Sequence, residues 1–203
     1  MMTITKLEPF GARIKVYVDE EPLFVLYKGE IRRFHIEEGN LDESVYNEIV
    51  ELLYKRAKER SLYILESSLK TTKQIEDKLK AGFYPKEVIE RVISFLKEYH
   101  FIDDYQYALS YIEYKGKSKS RKQILQDLFV KGISRELVET ALEESGFAEE
   151  DTLYTIALKR KNRYDLSDRK ELQKFYQYLL GKGYSYGKVR EVISRLIDID
   201  IME

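Results

Sequence analysis

Three glycine–hydrophobic pairs recur along this chain: Gly82-Phe83, Gly132-Ile133 and Gly183-Tyr184, fifty and fifty-one residues apart. A period of this length marks a stacked repeat, in which each unit is one supersecondary element. The flanking apolar residues follow the same register. Ile75, Leu125 and Tyr176 lie seven residues before each glycine, and Leu79, Phe129 and Leu180 lie three before. Val88, Val138 and Val189 lie six after, and Val92, Leu142 and Ile193 ten after. These are three- and four-residue steps, the spacing of one helix face. Ala57, Ala108 and Ala157 precede the glycines by roughly two dozen residues and would let two helices approach closely.

Capping signals agree with this frame. Thr71 with Gln74, Ser120 with Gln123, and Asp168 with Glu171 have capping-box spacing and would open the second helix of each unit. Each glycine is expected at the C′ position that ends this helix, where left-handed φ costs little. Two residues on, Tyr84, Ser134 and Ser185 would cap the third helix, with Pro85 at its first position. Each unit therefore reads as helix, helix, tight turn, helix. With helices this short, the core is expected to form where neighbouring units stack.

The first forty residues have a different period. Arg13 to Val18 alternates polar and apolar, the pattern of a strand. Asp19-Glu20-Glu21-Pro22 reads as a turn and Leu23 to Tyr27 as a second strand, which Ile31 to Ile36 would extend; Ile4 to Leu7 would add an edge strand. So few strands are marginal alone. Whether they dock on the first repeat or serve a separate contact is open at this level.

The fold class is mainly α: three tandem three-helix repeats in an elongated curved array, with a small N-terminal β segment. The expected boundaries are 1–41 for the β segment and 42–98, 99–148 and 149–203 for the repeats. Composition excludes several functions. Among 203 residues there is no cysteine, so there is no disulfide, thiol nucleophile or thiolate metal site. No apolar run reaches membrane-spanning length. The start lacks a signal-peptide pattern, so a cytoplasmic protein is expected. His35 and His100 have no partner at metal-ligand spacing. There is no phosphate-binding glycine loop and no nucleophile elbow, so we expect no enzyme, cofactor or metal.

Phe101-Ile102-Asp103-Asp104-x-x-Tyr107-Ala108 resembles the most recognisable motif of the RecX family, regulators of the RecA recombinase. Gly82-Phe83 with Val88-Ile89, Val92-Ile93 and Leu96 is similar to that family's first repeat. Lys131-Gly132-Ile133-Ser134 resembles its second, and Lys182-Gly183-Tyr184-Ser185-Tyr186 its third. His100 departs from the pattern, where the family often has glycine. The resemblance implies a non-enzymatic protein that binds the RecA–single-stranded-DNA filament in its groove and modulates strand exchange and ATP hydrolysis, in recombination and DNA repair.

The motif's own residues read as structure. Asp103 would cap a helix starting at Asp104, with Gln106 returning the bond, and acids there suit the helix dipole. Lys and Arg total 35 against 36 Asp and Glu, a net charge of −1, but residues 151–203 carry eleven basic and eight acidic residues, net +3. One cluster is Lys115, Lys117, Lys119, Arg121 and Lys122; the other is Lys159, Arg160, Lys161 and Arg163, followed by Lys174, Lys182, Lys188 and Arg190. Clusters at corresponding joints of neighbouring repeats would form a basic face for phosphates or for an acidic protein groove. Tyr164 and Tyr186 beside it could stack on bases or pack; Tyr184 reads as core. The third helices of the first two units carry Glu87, Glu90, Glu136 and Glu139, which argues against three tandem duplex-reading helices. The partner implied is the recombinase filament, with single-stranded DNA as a further contact and the protein itself a monomer. The alternatives are a direct single-strand binder competing for DNA, and a generic helical scaffold.

Overall fold

A computed structural model describes residues 2–202, with side chains to Ile197; Met1 and Glu203, the outer limits of the first and last expected domains, lie outside the described residues. The chain divides into two compact units, Met1–Asp103 and Asp104–Glu203.

The first unit opens with strands β1 (Met2–Phe10), β2 (Arg13–Val18) and β3 (Glu21–Tyr27), then helix α1 (Lys28–Arg33) and strand β4 (Gly39–Leu41). The sheet is antiparallel in the order β3-β2-β1-β4, so β1 is interior rather than at the edge. Asp19 and Glu20 both have positive φ, 50° and 72°, in a two-residue hairpin turn whose twist suits the flanking strands. Pro22 falls within β3, which is tolerable because β3 is an edge strand.

Residues 31–36 do not extend a strand. Glu30 accepts a hydrogen bond from the Tyr27 N–H at 2.7 Å and pairs with Arg56, which starts α1 as a helix. His35 ends it at φ 51°, its N–H donating to the Arg32 carbonyl while the Ile36 N–H donates to Ile31. That pairing is a Schellman motif. It turns Phe34 and Ile36 into the core, so two apolar residues that looked strand-like are the staples of a helix end.

The first repeat is α2 (Glu43–Ser67), α3 (Thr72–Ala81) and α4 (Lys86–Glu98). Helix α2 has 25 residues and is not short. The sheet and this repeat share one core, in which Val16, Phe24 and Leu26 meet Ile49, Leu53, Leu79 and Val92. The sheet therefore docks on the first repeat. Phe10 meets Phe83 edge-on at 5.5 Å between centroids, and the Lys15 ammonium lies 4.3 Å from the Phe83 centroid.

The second unit holds the other two repeats, α5 (Asp104–Lys115), α6 (Arg121–Val130), α7 (Arg135–Glu144), then α8 (Glu149–Lys161), α9 (Arg169–Gly181) and α10 (Tyr186–Met202). Helix α5 begins at Asp104, as expected. Each of these repeats closes its own core: Ile112, Ile124, Leu128, Ile133 and Val138 in one, and Leu153, Phe175, Leu179, Tyr184 and Val189 in the other. The core does not wait for stacking, because three helices of this length already enclose an apolar centre.

The repeat register differs by one residue from the glycine alignment. The left-handed C′ residue after the second helix is Phe83 (φ 57°), Gly132 (φ 86°) and Gly183 (φ 89°), whereas Gly82 is the preceding cap at φ −85°. The true spacings are forty-nine and fifty-one. Tyr84, Ile133 and Tyr184 then correspond, and all three are buried. Pro85 and Ser134 are N-caps in equivalent positions, so Tyr84 is core rather than cap. The buried pairs on the second helices become Ile75 and Leu79, Ile124 and Leu128, Phe175 and Leu179. Leu125 moves to the edge of the core, half-buried against it, and Phe129 falls off the stripe and is 69% exposed. Thr71 and Ser120 make reciprocal capping boxes. Asp168 accepts from the Lys170 and Glu171 N–H groups, but the Glu171 carboxylate faces Lys174 at 2.6 Å instead of returning to the cap.

Candidate functional site

All the basic residues singled out from the sequence lie in the second unit, and the joint between its two repeats organises several of them. Ser120, just before α6, accepts from the Gln123 N–H at 3.3 Å and donates its own hydroxyl proton to the Lys182 carbonyl at 2.7 Å. A Cβ on Gly183 would stand 3.0 Å from that hydroxyl oxygen and 3.3 Å from the Lys122 side chain. Glycine is needed there both for its left-handed φ and for this close approach. Glu149, first residue of α8, accepts from the Arg121 N–H at 2.8 Å and from the Lys188 ammonium at 2.8 Å. The buried Thr152 hydroxyl donates to the Gly116 carbonyl at 2.8 Å. These polar links, each replacing water by a fixed partner, hold the two repeats in register.

The joint leaves an open groove of about 560 Å³, lined by residues that include Arg121, Lys122, Arg135, Lys188, Leu125 and Phe129. The structure thus gathers Arg121, Lys122 and Lys188 at one place, with Lys182 in the adjoining turn. Three further residues lining it, Arg135, Leu125 and Phe129, were not among the sequence candidates. Arg135 stood apart from both basic clusters, and the one-residue slip put Leu125 and Phe129 in register with Ile75 and Leu79.

The remaining cations are placed differently. Lys119 is held inside its repeat by Asp127, with the Tyr111 hydroxyl donating to the same carboxylate at 2.6 Å. Burial opposes ionisation of Asp127, but the bonds from Lys119 and Tyr111 outweigh it and hold the carboxyl below its usual range. The bond to Asp127 raises the Lys119 ammonium. Lys115 lies over the Tyr114 ring at 4.4 Å, and Lys117 is exposed in the turn that follows. Lys159, Arg160 and Lys161 form the last turn of α8, where cations suit the helix dipole. The Arg160 guanidinium lies 4.8 Å from the Tyr178 centroid and is half-buried, while Lys159, Arg163 and Arg190 are exposed. Lys174 pairs with Glu171. Tyr164 packs on Phe175 at 5.1 Å, and Tyr186, still 61% exposed, stacks on Tyr176 at 5.8 Å. Tyr184 is core, as expected, and burial raises its hydroxyl well above the ordinary tyrosine range.

Both histidines serve backbone geometry. His100 has φ 56° and ends α4 as His35 ends α1, with the Phe101 N–H donating to Leu96 at 2.8 Å. Among the described residues no three His, Cys, Asp or Glu side chains converge as a metal site, and no helix is long and apolar enough to cross a membrane.

Comparison with known proteins decides the family. The models of the first, second and third three-helix domains of RecX match residues 57–96, 103–142 and 148–193. A regulatory protein RecX of Clostridium perfringens (strain SM101 / Type A) is 33% identical, covering 94% of this chain and 93% of its own. This chain belongs to the RecX family. A RecX of Clostridium botulinum (strain Alaska E43 / Type E3) is 31% identical over the full length of both chains. The crystal structure of a regulatory protein RecX matches with a TM-score of 0.65 and 28% identity, covering 96% of this chain and all of that one. That of RecX from Lactobacillus salivarius matches with a TM-score of 0.63 and 30% identity over 71% of this chain and 96% of that one. The relatives are named as regulatory proteins, and the three RecX domain models fall on the three helical repeats.

Proposed function

We propose that this chain is a non-enzymatic, cytoplasmic regulator that binds the RecA–single-stranded-DNA filament and modulates strand exchange and ATP hydrolysis. Its RecX-family membership over nearly the whole chain carries this reading. The basic residues of the second and third repeats support it, because cations at successive joints would meet DNA phosphates or an acidic recombinase surface at spaced points. The domain limits we assign are 1–41, 42–98, 99–148 and 149–203, one β segment and three repeats. Binding across neighbouring recombinase protomers would oppose the subunit motion that hydrolysis needs. The protein is expected to act as a monomer.

The exposed cations Lys117, Lys122, Lys159, Arg163 and Arg190 test the role of charge. Replacing all five by Glu should abolish inhibition of strand exchange while circular dichroism stays unchanged. Arg160 and Lys119 are left alone because each packs within its own repeat. Full inhibition by the folded variant would remove these cations from the mechanism. A second reading, direct single-strand binding, is favoured by Tyr114, which is 75% exposed beside Lys115 and is placed to stack on a base.

A further inference from the structure

Equivalent positions on the second helix of each repeat have three different fates. In the first repeat they are Glu76 and Lys80, a charged pair 3.4 Å apart. In the third they are Tyr176 and Leu180, with the Tyr176 ring covered by Tyr186. In the second they are Leu125 and Phe129, apolar, one turn apart, and lining the groove at the joint. Phe129 and Val130 are 69% and 70% exposed at the end of α6. Leu125 is half-buried against its repeat's own core, so the groove's exposed apolar surface is the Phe129 ring beside the Leu125 edge, with Val130 next to it outside the groove. Exposed apolar residues scattered singly need no explanation, but adjoining ones at a groove do.

The walls of the same groove are cationic. Arg121, Lys122, Arg135 and Lys188 line it with one carboxylate, Glu149, whose two oxygens are already taken by the Arg121 N–H and Lys188. Arg135 is paired with Glu139 on its own helix at 3.0 Å, so the Arg121 and Lys122 side chains are the cations offered to the groove. Arg121, Arg135 and Glu149 are each the first residue of a helix, and Ser185 immediately precedes α10, so four helix N-termini add positive potential at the rim. The hydroxyl of Ser120 and the close approach of Gly183 fix the walls, so little ordering remains to be done on binding.

We propose that this groove docks an acidic, extended peptide segment of a protein partner, with one apolar side chain seated against Leu125 and Phe129 and flanking carboxylates on Arg121 and Lys122. Charge complementarity selects the acidic flanks, and the apolar lining selects the anchor. A peptide is favoured over a nucleic-acid strand because aliphatic Leu125 rewards a buried side chain, which a phosphate backbone does not supply. The inference goes beyond filament binding and does not rest on it, since it is tested without recombinase or DNA filament.

The test titrates the full chain, at physiological salt, into three labelled probes. They are a short Glu/Asp-rich peptide with one central Leu, the same peptide with Ser in place of Leu, and an oligothymidylate of similar length. The Leu peptide should bind about tenfold tighter than the Ser peptide, the share a buried leucine contributes. Phe129→Ser should erase that difference, and Lys122→Glu should weaken both peptides, with helicity unchanged in each variant. Equal binding of the two peptides, binding of neither, or tighter oligothymidylate binding that Phe129→Ser weakens would overturn the proposal. In the last case the groove is a nucleic-acid site.

Discussion

The Ser120 hydroxyl donates to the Lys182 carbonyl at 2.7 Å while capping its own helix. One side chain thus starts a helix of the second repeat and ties it to the turn that ends a helix of the third. Ser120→Ala removes both bonds and should cost about 1–2 kcal/mol. Gly183→Ala should cost at least as much, because it adds left-handed strain at φ 89° and a Cβ 3.0 Å from the Ser120 hydroxyl. Urea titration of both variants checks this, and wild-type midpoints would show that the joint contributes nothing.

Phe83 holds a conformation in which an aromatic residue is strained, with φ 57°, because its ring is engaged by Phe10 and Lys15. Phe83→Ala loses the contacts and keeps the strain. Phe83→Gly loses the contacts and relieves it. The glycine variant should therefore be the more stable by about 1 kcal/mol, although both fall below wild type. His100 is exposed and holds φ 56°, so His100→Gly should raise stability by up to about 1 kcal/mol. Thermal melts order all three.

Tyr184 buries a hydroxyl that finds no hydrogen-bond partner among the described residues. Tyr184→Phe removes an unsatisfied group and leaves the ring in place. Stability should rise by about 1 kcal/mol, read from the shift in urea midpoint.

Asp127 contributes to the acid limb of stability. Its carboxyl is held below the ordinary 3.8, so the folded chain keeps it ionised where the unfolded chain would protonate it. The contribution is present above about pH 4 and is lost as pH falls through the lowered value. Asp127→Asn should cost about 1 kcal/mol at pH 7, and its gap from wild type should close as pH falls from about 5 to about 2. A gap that stays constant with pH would mean the Lys119 and Tyr111 bonds do not discriminate the ionised form.

The repeat, its three helices and the starts of its second helices were legible because each is local: Thr71, Ser120 and Asp168 announce helix starts by side-chain chemistry alone. The one-residue slip arose because Gly82 sits beside the position that needs positive φ, and Phe83 takes that position only through tertiary contacts with the sheet. The same slip put Leu125 and Phe129 in register with the buried Ile75 and Leu79. Residues 31–36 misled for a related reason. Their apolar spacing suits a strand, and only the capping bond of Glu30 and its pairing with Arg56, distant in sequence, select a helix. The basic clusters were legible as composition. Which cations are consumed internally, such as Lys119, depends on partners that sequence spacing does not reveal.

The central claim is recognition of the recombinase filament rather than of DNA alone. Fluorescence anisotropy of the labelled full chain at physiological salt tests it most directly, titrating recombinase filaments on single-stranded DNA and then the same DNA bare. Tight binding to the filament with weak binding to bare DNA is the predicted result. Equal affinity for both, or binding to neither, would contradict it.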